Sequence, residues 1–253
     1  KIVCGKDNKP DAVTIQTITE SISKNDPVEV FDPLGLEKII KDLDDLIDAF
    51  FQIFIHASKK NYDNILILED DFIFTNKIKN KIHVENINNF LRRKRGEDFI
   101  YYIGCLPWLL VPTIYDTNTY FNVCSSGTHS VIYSKKNREL CMKGYLNAID
   151  NTRDWDLLHN LYSKNRYVYY TPLCYQVFGD TENSKYWGSF NKIFVILSFF
   201  LKKILKLLDL DKNIEPGYSI LYLFSKLLFL LIIILFIYFI IKIKNKYVTI
   251  KKK

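Results

Sequence analysis

The chain has 253 residues, 48 % hydrophobic and 25 % charged, with a formal net charge of +7. The charge is uneven: residues 186–253 hold 12 Lys against three acids, whereas residues 1–185 hold 23 Lys and Arg against 25 Asp and Glu. The N-terminal three quarters are thus slightly acidic, which argues against a nucleic-acid-binding surface there, and the lysine excess belongs to an apolar C-terminal region.

Five cysteines (Cys4, Cys105, Cys124, Cys141, Cys174) lie scattered without a C-x-x-C. Zinc spacing is absent, and the expectation is thiols in a reducing compartment. Asn is common, yet no N-x-Ser/Thr sequon occurs, which favours a cytosolic domain, whereas the lysine-rich C-terminal tail favours a cytoplasmic C-terminus, so the side of the membrane on which the domain lies stays open. Lys1–Glu20 lacks the apolar core of a signal peptide.

Ile2-Val3-Cys4 and Ala12–Ile15 read as short strands. Leu36, Ile39, Ile40, Leu43, Leu46, Ile47, Phe50 and Phe54 fall at helical spacing, predicting a helix from near Asp32-Pro33 to about Ala57. Tyr62-Asp63-Asn64 then turns into a buried strand, Ile65–Leu68. That apolar run ends in Glu69-Asp70-Asp71 and resumes as Phe72-Ile73-Phe74. Three adjacent carboxylates repel one another, so stability alone does not account for them. Their oxygens suit a hard divalent cation, Mg²⁺ or Mn²⁺, often shared with substrate phosphates. Ligands of open α/β sheets bind beyond the carboxyl ends of strands, where these acids fall. The competing reading is a solvated acidic turn.

Val84–Lys94 reads as a short helix, and the basic run Arg92–Arg95 as its solvated end. Phe99–Gly104 reads as a second buried strand, and Leu106–Asn122, with Pro107 and Pro112, as a loop or lid. Ser130–Ser134 is a predicted strand, Arg138–Ile149 a helix, Asp154–Tyr162 a helix opened by acids, and Tyr167–Tyr170 a strand. Apolar strands alternating with amphipathic helices predict a single α/β layer sandwich, with Ile65–Leu68 and Phe99–Ile103 in one sheet. Phe194–Leu208 mixes apolar residues with Lys202, Lys203 and Lys206, as a helix in the headgroup region would. Ile220–Ile241 is long and apolar enough to cross a bilayer, with Lys226 placed to snorkel and a six-Lys tail from Lys242 to Lys253. The expected organisation is a soluble domain at 1–185, a membrane-proximal linker at 186–217, a transmembrane helix at 218–243 and a basic tail at 244–253.

Across residues 36–185 the ordered set of segments resembles the family 25 glycosyltransferases, which include lipooligosaccharide and collagen galactosyltransferases and relatives in large DNA viruses. The resemblance rests on Asn64–Phe72, Asp98–Gly104, Gly127–Ser134, Asp154–Leu157 and Thr171–Gln176. Asp44-Asp45 stand where the family often has Ser-His, and its Arg-containing N-terminal strand-turn is not matched. The resemblance implies a GT-A fold with a mostly parallel sheet. It implies transfer of a hexose, galactose or glucose, from a nucleotide sugar to a protein or glycan acceptor. Asp71 would be the direct metal ligand with Glu69 helping, and Asp70 would face the sugar or ribose. Gly104 would lie in the donor site. Asp156 or Asp154 would be the general base, with Glu182 a second choice. His129 and the tryptophans Trp108, Trp155 and Trp187 are better explained as structural residues. The alternative function is a catalytically silent, membrane-anchored relative that binds a sugar nucleotide or a partner protein.

Overall fold

The computed structural model describes residues 2–3, 30–31, 44–69, 72–148, 155, 159, 163–176, 203–204, 206–208 and 215–251. Among these, the eight strands are β1 (Ile2–Val3), β2 (Val30–Phe31), β3 (Asn64–Leu68), β4 (Phe72–Phe74), β5 (Ile100–Pro112), β6 (Thr119–Ser134), β7 (Arg166–Tyr169) and β8 (Cys174–Gln176). The four longer helices are α1 (Asp44–Lys59), α2 (Lys81–Arg93), α3 (Lys135–Ala148) and α4 (Gly217–Lys251).

The helix expected over 36–57 is described from Asp44. Its core stripe is Ile47, Phe50, Ile53, Phe54 and Ala57, one face of a 3.6-residue repeat. It ends in a Schellman turn: Tyr62 N donates to Ala57 O and Asn61 N to Ser58 O, both at 3.0 Å, with Asn61 in the left-handed region at φ 56°. Arg138 seals this corner. Fully buried, its guanidinium donates to the carbonyls of Tyr62 (2.6 Å) and Tyr133 (3.2 Å), tying the turn before β3 to the end of β6.

The main sheet runs β2-β1-β3-β6-β5-β7, and β6 also pairs with β7. Ile65–Leu68 and Ile100–Ile103 share one sheet, with Phe99 just before its strand, but β6 lies between the strands that carry them. The α/β class holds, while the strand directions differ from the expected mostly parallel sheet. Among the described strands only β5 and β7 pair in parallel. The cause is the segment predicted as a loop. Leu106–Asn122 instead completes a long β5–β6 hairpin whose turn spans 113–118. Pro107 is tolerated because β5 is irregular there, with register shifts at Gly104/Leu106 and Pro107/Leu109. These shifts bend the hairpin, so that the start of β6 returns to β7.

Alternation along the strands makes two cores. Ile65, Ile67, Val131, Tyr133 and Tyr102 face α1 and the base of α4. Leu66, Leu68, Ile132, Tyr101 and Ile103 face α2. Trp155, within the helix predicted at 154–162, packs on Phe50 at 4.7 Å between centroids, a core role as expected. No disulfide joins Cys105, Cys124, Cys141 and Cys174, the cysteines among the described residues.

α4 is long and apolar enough to cross a membrane over Gly217–Lys244. Its first turns nevertheless pack on the domain: Tyr218, Leu221, Tyr222 and Ser225 are buried at i, i+3, i+4, i+7 spacing. Residues 203–204 and 206–207, in the segment predicted as a headgroup helix, are helical, with Leu207 exposed.

Candidate functional site

The site candidate lies where β3 ends. The ladder continues one step past Leu68, with Glu69 N donating to His129 O (3.2 Å). Phe72 N donates to Glu69 O (3.3 Å), tying together the two sides of the acidic stretch. The Glu69 carboxylate is half-buried and held at both oxygens. Thr128 Oγ1 donates to Oε1 at 2.5 Å, and Gln176 Nε2 approaches Oε2 at 3.5 Å. Residues 69, 128 and 176 come from three separate stretches of the chain, and the fold brings them within one carboxylate's reach.

Two glycines permit this convergence. Gly127 takes φ +82°, and a Cβ there would stand 3.1 Å from His129 Nδ1. At Gly104 a Cβ would lie 2.2 Å from Cys174 O and 2.9 Å from His129 Nε2. No side chain fits at Gly104, so β8 can close onto β5, where Leu173 N donates to Ile103 O at 2.8 Å. This packing explains the glycine without reference to a cofactor.

His129 sits at the centre, with no solvent exposure. The Cys174 carbonyl and the Gln176 side chain interact with its ring, but neither nitrogen has a well-aligned hydrogen bond. Burial lowers its pKa to about 4, against the opposing pull of those two acceptors, so the ring is neutral at neutral pH. The ring of Tyr218, from α4, meets His129 edge-on at 6.2 Å. The Tyr218 hydroxyl donates to Gln176 O and accepts from Gln176 N, both at 3.1 Å. The base of α4 thus fixes the backbone of the residue that braces Glu69.

Of the residues predicted for the site, Glu69 and Gly104 are placed, one on each side of His129. Asp70, Asp71, Asp154, Asp156 and Glu182 lie outside the described residues, as does Trp187. Trp155, between Asp154 and Asp156 in sequence, and His159 are helical. His159 Nε2 lies 3.0 Å from the Tyr133 hydroxyl, and burial, then the Arg166 charge, lowers its pKa to about 3. Trp108 donates to Ser126 Oγ (3.0 Å) and His83 pairs with the Tyr169 hydroxyl (2.8 Å), both structural roles. Among the described residues no three His, Cys, Asp or Glu side chains assemble into a metal-binding group. The basic run at the end of α2 is engaged, Arg93 with Asp116 in the β5–β6 turn and Lys94 with Glu97.

The sequence reading missed Thr128 and Tyr218 as site residues and did not single out Gln176. Thr128 and Gln176 lay inside segments already noted, and a hydroxyl beside a left-handed glycine was the available signal. Tyr218 gave none, because an aromatic residue at the head of an apolar helix reads as an interfacial anchor. No protein-family model matches the chain, and no curated protein is detectably similar to it in sequence.

Proposed function

We propose that the chain is a membrane-anchored, metal-dependent glycosyltransferase that moves a hexose from a nucleotide sugar to a protein or glycan acceptor. The observation behind this is the meeting of Glu69, Thr128 and Gln176 at one strand end. Each belongs to a different segment of those that resemble family 25, and the pairing of β3 with β6 and of β4 with β8 sets them beside one another. Glu69 supplies hard oxygen donors, which fits Mn²⁺ or Mg²⁺, and Asp70 and Asp71 follow it directly in sequence. In this reading Asp71 and Glu69 are the metal ligands, and Asp70 is assigned to the donor sugar or ribose. Such acids would hold a divalent cation, which when bound would supply positive charge against the negative charge that develops on a departing diphosphate. Thr128 and Gln176 hold the Glu69 carboxylate in one orientation, and neutral His129 supports them from below without adding a repelling charge. Asp156 or Asp154 takes the proton of the acceptor hydroxyl. α4 anchors the domain to a membrane, crossing it once.

One observation favours the catalytically silent alternative. Both Glu69 oxygens already have protein donors, so this carboxylate can act as a brace that needs no cation. A thermal-shift series on the full chain in detergent, with nucleotide sugars and with or without Mn²⁺, separates the two. The enzyme reading expects Mn²⁺-dependent stabilisation by at least one donor, about 2.7 kcal/mol at a hundredfold excess over Kd. Asp71→Asn should abolish that shift and leave the fold intact. Asp156→Asn should preserve it and cut transfer by about 10²–10⁴-fold. Undiminished Mn²⁺ and donor binding in Asp71→Asn sinks the metal assignment. A parent that binds donor yet transfers to no acceptor, water included, leaves the silent reading.

A further inference from the structure

The level at which α4 leaves the domain carries two lysines from distant parts of the chain. Lys226 Nζ donates to Tyr170 O at 2.6 Å. Lys77 Nζ donates to Thr171 Oγ1, on the next residue, at 2.9 Å. Both are half-buried. The two ion pairs among the described residues, Arg93–Asp116 and Lys94–Glu97, involve neither. An ammonium has three donors, and the named bonds use one from each. The two ammonium groups are held on adjacent residues and have no carboxylate partner among the described residues, which leaves their remaining donors open to an anion.

The surroundings indicate which anion. On the outward face of α4, Leu223 and Phe224 are exposed before Lys226 is reached, and from Leu227 the helix is apolar nearly all round. The lysines therefore lie at the level where a bilayer surface would begin. Lys226 stands over the Tyr120 ring at 4.7 Å and the Tyr170 ring at 6.0 Å, and tyrosines favour the headgroup region. The short turn at Asn76–Lys79 and the start of α2 add Lys79, Lys81 and Ile82, all exposed. A basic segment ending in an exposed isoleucine suits an anionic lipid surface.

We propose that Lys226 and Lys77 form a site for the phosphate of an anionic lipid headgroup where α4 leaves the domain. This rests on α4 crossing a membrane, as proposed above. The site seats the domain on the bilayer at a fixed height. Full chain purified in neutral detergent is titrated with short-chain phosphatidylglycerol, short-chain phosphatidylcholine or inorganic phosphate, and bound molecules are counted by native mass spectrometry. Phosphatidylglycerol should be retained in preference to phosphatidylcholine. The pair Lys77→Gln, Lys226→Gln should lower that retention on the order of tenfold. The pair Lys77→Arg, Lys226→Arg should keep it, as should Lys143→Gln on α3. Melting curves establish that each variant is folded, and Lys77→Gln alone, away from α4, should still give a partial loss. Equal retention of the two lipids, or an unaltered preference in the Gln pair, overturns the site. Inorganic phosphate binding as tightly as phosphatidylglycerol also overturns it in favour of a soluble anion. Carbonate extraction of the chain from membranes is read separately: release removes the anchor and the lipid site together, whereas a retained chain without lipid preference removes only the site.

Discussion

The two stretches of α4 follow opposite rules. In Gly217–Lys226 the buried side chains form a stripe, Tyr218, Leu221, Tyr222 and Ser225, as on any helix packed against a sheet. From Leu227 to Ile243 nearly every residue is exposed and apolar, about 25 Å of helix at 1.5 Å per residue, close to a hydrocarbon core. A single unbroken helix thus joins a stretch packed on the domain to one long and apolar enough to cross a membrane. The base is therefore part of the folded domain, and the candidate site depends on this helix through Tyr218.

Cutting the chain at two places gives the largest expected contrast. A stop after Pro216 removes three buried large side chains, Tyr218, Leu221 and Tyr222, from the sheet face they cover. At about 1.5–3 kcal/mol each, the loss rivals the whole stability of a marginal domain, so aggregation and loss of a cooperative melt are expected. A stop after Lys226 should leave a domain that stays in the supernatant and melts cooperatively. If both truncations behave alike, the base is not part of the domain.

Tyr218→Ala narrows the contrast to one residue. It should cost about 3–5 kcal/mol in a denaturant titration, since it opens a cavity and strands the backbone groups of Gln176. Tyr218→Phe should cost about 1–2 kcal/mol and lower donor affinity by loosening Gln176.

Acid should act on the same contact. His129 is neutral in the folded chain, with its pKa lowered to about 4, and would titrate near 6.5 when unfolded. Below 6.5 the unfolded state binds the extra proton, so stability rises with pH through this window. The contribution is complete at neutral pH and is lost progressively as pH falls from 6.5 towards 4, about 3 kcal/mol in all. A melting temperature that falls across that range in the parent, and falls less in a folded His129→Asn variant, is the expected result. His159, also buried and neutral, contributes with the same sign, so a flat profile in the parent would mean that neither ring is desolvated. The smallest effect belongs to the far stretch: Phe236→Ala should leave the domain's melting temperature unchanged, because this exposed side chain touches nothing in the domain core.

Short-range patterns were legible in the sequence. The stripe of α1, the apolar run of β3, the strand at Tyr167 and the long apolar helix each declare themselves within about a dozen residues, because burial imposes a period on the chain. The acidic stretch after β3 was also legible, since like charges at a strand end conflict with local stability. Two other features were not. Pro107 reads as a loop residue, and only the bulged pairing of β5 with β6 made room for a strand there, which in turn set the antiparallel directions of the sheet. The bracing of Glu69 by Thr128 and Gln176 spans 59 and 107 residues of chain. Local spacing carries no information at that separation. The sequence determined by itself which segments must be buried and that one helix suits a membrane. Only the tertiary structure decided that the base of this helix docks beneath the site and that a tyrosine from it fixes Gln176, because that contact depends on the close approach of β8 to β5 over a glycine.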